Sequence, residues 1–253
     1  MNYFILECKR MYKSKGFLIG FGLVVLCLLC GAYDMFYPGY DMVDAMIFSL
    51  GANPTAVLAL FWTIIGSIPW AVTYLNEQKS GYSVYLQTKS GRNTYLISKY
   101  FTSLLAAFSV ILLPELLLLF SFVVLKGTEV TLECSSDVSY LRNVALSHPI
   151  FYCLLLMLAT AMVTMAYTAI SLACSVRIKN KFIAVVLPFV VYIVSTLSLR
   201  STALFWLSGQ FLYDLNDDWE CAHYGVRTLV DLGIIIICLI IFVRGNQHEE
   251  KSE

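Results

Sequence analysis

The chain has 253 residues, of which 59% are hydrophobic and only 13% charged, against roughly 25% charged in soluble domains. With a positive mean hydropathy, this places it in the membrane class and leaves no length for a soluble catalytic domain. The formal net charge is zero, so the distribution of charge carries the information, and no basic surface for nucleic acid is implied. We expect one all-α polytopic membrane domain over residues 1–253.

Residues 2–15 predict an amphipathic helix. At about 100° per residue, Met11, Phe4, Cys8, Tyr12 and Ile5 share one arc, with Lys9, Lys13 and Arg10 opposite. A basic face behind an aromatic-rich apolar face suits a helix lying in the membrane interface. The alternative is a signal-peptide leader, but Cys30-Gly31-Ala32-Tyr33 makes a poor cleavage site. The first span is expected over residues 16–33, where Gly16 and Gly20 form a small-xxx-small pair. Residues 34–53 read as a loop holding Asp34, Asp41 and Asp44, with tyrosines at interfacial depth. The second span is expected over residues 54–75. It starts at Pro54, a good first-turn residue, and is kinked at Pro69.

Residues 76–99 form a polar, basic island between two long apolar runs. The island exceeds the usual helix–helix connection of about 2–8 residues. Val84, Tyr85 and Leu86, beside Tyr82, predict a short helix inside it that docks a partner and passes the partner's motion to the spans.

The third span is expected over residues 100–125 and carries Glu115. An ionisable group inside a span is either functional or hydrogen-bonded to other helices. Residues 126–149 are a second loop, and residues 150–175 the fourth span. There Thr160, Thr164, Thr168, Ser171 and Ser175 form one helical stripe. Such a stripe lines a pathway or, more often, bonds between helices or back to its own backbone. A short basic loop leads to the fifth span, residues 182–199. Within residues 200–226 the apolar pieces are too short to span and read as re-entrant or interfacial. The last span is expected over residues 228–243, with Arg227 and Asp231, four apart, pairing near its outer end.

Six spans put both termini on one side. Thirteen Lys and Arg fall on that side, together with the 76–99 island. Only Lys126, Arg142, Arg200 and Arg227 fall on the other. By the positive-inside rule the termini and the island are cytoplasmic.

Five of the eight cysteines lie in apolar runs and Cys8 is cytoplasmic, which leaves Cys134 and Cys221 in external loops. The outside is oxidising, so these two are candidates for a disulfide. Their approach to within about 7 Å is open. The chain has no G-x-x-x-x-G-K-[ST] phosphate loop, no H-E-x-x-H and no G-x-S-x-G. A membrane enzyme would rest on Glu115 alone.

This order of features resembles the type-2 ABC export permeases of bacteria along the whole chain. Those proteins have an N-terminal elbow helix, six spans, a coupling helix between spans two and three, and short re-entrant helices before the last span. Their coupling loops tend to carry an acidic residue, a glycine one turn later, then an Arg and a Lys leading into span three. Glu77, Gly81, Arg92 and Lys99 stand in those places. Where the family loop usually has a proline before the arginine segment, this chain has Lys89-Ser90-Gly91.

The resemblance implies a multi-pass permease of the bacterial cell membrane that is not itself an enzyme. ATP and Mg would be held by two separate ABC ATPase subunits, leaving no cofactor in this chain. A second permease subunit, identical or homologous, and membrane lipid would be its other partners, with no role for nucleic acid. The substrate would be a peptide, antibiotic or lipid-like compound, as in small permeases of peptide-antibiotic export and immunity systems. The rivals are an intramembrane enzyme using Glu115 and a non-transporting structural or sensory subunit.

Overall fold

The computed structural model describes residues 3–37, 39–52, 58–130, 142–178, 180–199 and 221–249. Every regular element among them is helical. A short α1 (Tyr3–Tyr12) precedes α2 (Lys15–Ala32). The Ser14 hydroxyl starts α2 by accepting from the Phe17 amide at 3.1 Å, an N-cap that satisfies one orphan donor of the first turn. Then come α3 (Met42–Ile47), α4 (Leu58–Ser67), α5 (Ala71–Lys79) and α6 (Tyr82–Ser90). The long α7 (Arg92–Lys126) follows, then α8 (Arg142–Ser147), α9 (Pro149–Ser175), α10 (Lys181–Leu199) and α11 (Cys221–Glu249).

Five helical stretches are long and apolar enough to cross a membrane: Lys15–Phe36, Arg92–Lys126, Pro149–Ser175, Lys181–Leu199 and Gly225–Asn246. Helices suit that role because they satisfy their own backbone polar groups, which lipid cannot do. The chain is thus a multi-pass membrane protein in character. Its central strut is α9, which packs against α3, α4, α7, α10 and α11.

Four expectations change. The predicted second span is broken. Its start at Pro54 lies outside the described residues, and α4 ends at Ser67, before a turn of Ile68, Pro69 and Trp70. Proline lacks the amide and disfavours helical geometry at the residue before it, so the chain re-enters helix only at Ala71. Among the described residues neither piece alone is long enough to span.

The 76–99 island is not a loop. It is the end of α5, then α6, then two turns of α7, punctuated by Gly81 at φ 71° and Gly91 at φ 82°. Both glycines occupy backbone conformations that side chains disfavour, and they let three helices follow each other without a linker. The third span therefore begins at Arg92 rather than Tyr100. At 35 residues α7 runs about 52 Å, well beyond a hydrocarbon core of about 30 Å.

The predicted loop at 34–53 contains α3, all six residues of which are buried. Asp41 caps it by accepting from the Asp44 amide at 2.9 Å. Its Met42, Val43 and Met46 pack into the same core as Leu28, Trp62, Phe122 and Met157. The last helix starts at Cys221, earlier than expected. Residues 200–220, where the re-entrant segment was expected, lie outside the described residues.

Candidate functional site

A buried ion cluster joins α1, α5 and α7. Glu77 on α5 and Lys99 on α7 meet at 2.9 Å, and Lys99 reaches Glu7 of α1 at 3.4 Å. Arg10 spans both acids, at 2.6 Å from Glu7 and 3.2 Å from Glu77. The remaining acceptor positions are filled by phenols: Tyr3 donates to Glu7 and Tyr95 donates to Glu77, each at 2.9 Å. The Lys99 ammonium also sits 4.7 Å from the centre of the Trp70 ring, a favourable cation–π contact. Glu7 and Lys99 are fully buried. Two acids and two bases make the cluster neutral, as a buried set of charges must be to avoid a large desolvation penalty. Burial, reinforced by the Glu7 carboxylate, pushes the Tyr3 phenol far above its ordinary range. It therefore remains a donor at any physiological pH. Burial works against the Arg10 charge, but Glu7 and Glu77 outweigh it and raise the guanidinium further.

The same hairpin is tied on its other side to the end of α11. Tyr74 donates to Asn246, Gln78 donates to the Tyr74 oxygen at 2.7 Å, and Arg92 donates to the Asn246 carbonyl. Asn246 in turn donates to the Phe242 carbonyl at 2.7 Å. So both the N-terminal helix and the end of the last helix meet the α5–α6–α7 hairpin at one end of the bundle.

The residues singled out in the island fall into two groups. Glu77, Lys99 and Leu86 point inward and are buried. Val84 is 64% exposed, Tyr85 56% and Tyr82 43%, and the two tyrosine rings stack at 5.9 Å. Arg92 is half-buried against α11, and Gly81 forms the left-handed turn into α6.

Farther along α7, Glu115 is fully buried, and its two oxygens lie 3.0 and 3.1 Å from the Thr160 hydroxyl on α9. Thr160 and Thr164 also bond back to Met157 and Thr160 carbonyls at 2.8 Å. Ser171 crosses to the Ala184 carbonyl of α10 at 2.6 Å. The Thr168 hydroxyl has no partner among the described residues. This stripe bonds to its own backbone and to a neighbouring helix, in keeping with the commoner use of buried hydroxyls in spans. Cys134 and the side chain of Cys221 lie outside the described residues, and the disulfide question with them. No group of three His, Cys, Asp or Glu able to hold a metal occurs among the described residues.

Sequence reasoning missed Glu7, Tyr3, Tyr95, Trp70 and Asn246. One signal was available: Glu7 is the sole acid before Asp34, on a helix that is otherwise basic. Of the predicted arc, Met11 is buried and Cys8 partly buried, whereas Phe4, Ile5 and Tyr12 are exposed, and Glu7 joins Met11 on the buried side. No protein-family model, curated protein or solved structure matches this chain.

Proposed function

We propose that the chain is the permease subunit of an ATP-driven ABC exporter, with α6 as the helix that docks a separate ATPase. The observation that carries this reading is the two-sided character of α6. Its outer side offers Tyr82, Val84 and Tyr85 to a partner. Its base is gripped through Glu77 and Lys99 to α1 and α7, and through Tyr74 and Arg92 to α11. A push on α6 is therefore delivered to α1 and to the membrane helices α7 and α11 as a rigid displacement, because packed interiors transmit strain rather than absorb it.

The meeting of α1 and the α11 end at the hairpin supports an even number of crossings. The five long helices, with α4 and α5 together as the broken second crossing, make six. The charge count supports a cytoplasmic side for both termini and α6, and the family resemblance implies a bacterial cell membrane. ATP and Mg belong to the two ATPase subunits, and a second permease completes the pathway. The substrate is a peptide, antibiotic or lipid-like compound. Glu115, enclosed by helices and hydrogen-bonded by Thr160, favours an interhelical contact over a catalytic acid.

The test is co-purification. The chain isolated from its native cells should carry a subunit with a G-x-x-x-x-G-K-[ST] loop and ATPase activity. Tyr85→Ala with Val84→Asp should release it, with the permease still in the membrane. Isolation without any such subunit, under crosslinking, overturns the reading.

A further inference from the structure

A groove of about 690 Å³ opens between α1 and the start of α5. Leu6 and the stems of Lys9, Arg10 and Lys13 form its α1 wall. Ser14, Trp70 and Thr73 close it. No carboxylate is among the described residues that line it. Arg10 is matched within the neutral cluster, but Lys9 and Lys13 are exposed and make no ion pair or hydrogen bond among the described residues. The groove thus carries two uncompensated positive charges over apolar walls.

A further observation points to an occupant: the groove lies beside the start of the first apolar stretch. Ser14 is the N-cap of α2, the first apolar stretch. A methyl group placed on Gly16 would come 2.9 Å from the Pro69 carbonyl, so the base of α2 lies against the turn that carries Trp70.

We infer that this groove binds the phosphate of an anionic phospholipid, with the head of an acyl chain along Leu6 and Trp70. Lys9 and Lys13 supply the charge, with the Ser14 and Thr73 hydroxyls beside it as donors. The Ser14 oxygen already accepts from Phe17, which leaves its own proton to give. Arg10 lines both the groove and the ion cluster. A seated phosphate therefore draws on the cation that holds Glu7 and Glu77, and lipid occupancy acts on the grip between α1 and the hairpin.

The test uses the full chain in nanodiscs of phosphatidylcholine containing phosphatidylglycerol, with retained lipid read by native mass spectrometry. The wild type should retain phosphatidylglycerol selectively. Lys9→Ala with Lys13→Ala should lower that retention by roughly twenty-fivefold, from about fivefold for each basic residue near an anionic surface. Either single lysine variant should lower it by roughly fivefold. The control is Lys79→Ala with Lys89→Ala on the hairpin, which should change nothing. Retention unaltered in the groove variants, or lowered equally in the control, overturns the proposal. Full displacement by millimolar inorganic phosphate assigns the site to a free anion and overturns the lipid occupant.

Discussion

Lys99 and Glu77 are 22 positions apart and meet at 2.9 Å, with the lysine wholly out of solvent. Neither charge could be there alone. Lys99→Met leaves Glu7 and Glu77 with Arg10 as their only cation. Removing one partner of a buried pair costs about 3–5 kcal/mol, so we expect a sharply lowered melting temperature in detergent. Glu77→Ala should do the same, and its loss of function would then report folding as well as docking. A Lys99→Met protein as stable as the wild type would mean that the cluster is not held by charge balance.

Gly66 on α4 faces α9 with no room for a side chain. A Cβ there would sit 2.4 Å from the Thr164 methyl and 3.2 Å from the Thr168 hydroxyl. Gly66→Ala should therefore destabilise by about 1–3 kcal/mol through overpacking. Thr164→Ser removes the offending methyl and keeps the hydroxyl that bonds to the Thr160 carbonyl. The double variant should recover most of the lost stability in a thermal-denaturation assay. No recovery would place the strain somewhere other than this contact.

Glu115 and Thr160 join α7 to α9 inside the bundle. Thr160→Val keeps the shape and removes the partner, which should cost about 1–3 kcal/mol for the carboxyl left unsatisfied. In a Glu115→Leu background the same substitution should cost far less, since residues in direct contact are not additive. Equal cost in both backgrounds would show that Thr160 acts only through its bond to Met157. Glu115→Gln retains hydrogen-bonding capacity and should fold normally.

Arg227 and Asp231 on α11 form a two-pronged pair at 2.7 and 3.1 Å, both buried. Arg227→Leu or Asp231→Leu alone should cost about 3–5 kcal/mol by stranding the other charge. The double Leu variant should be milder than either single one. If it is worse, the pair has a role beyond its own neutrality.

Much of the architecture was legible from residues alone. Long apolar runs become helices because lipid leaves no other way to satisfy the backbone, so the bounds of α2, α9 and α10 followed from hydropathy. The Arg227–Asp231 pair was readable too, because four residues along a helix brings two side chains to one face. The short helix α6 was signalled by apolar residues inside a basic stretch. What the residues could not show was which charges go inside. Glu7, Glu77 and Lys99 come from three helices, and their meeting depends on how α1 and α5 dock against α7. Local periodicity carries no information about that docking. For the same reason Glu115 could be seen as buried while Thr160, 45 positions away, could not be named as its partner. Pro69 was expected to bend a span. The structure breaks it there, because once α5 is held by Glu77 and Tyr74 the turn gains anchors that a free helix would lack.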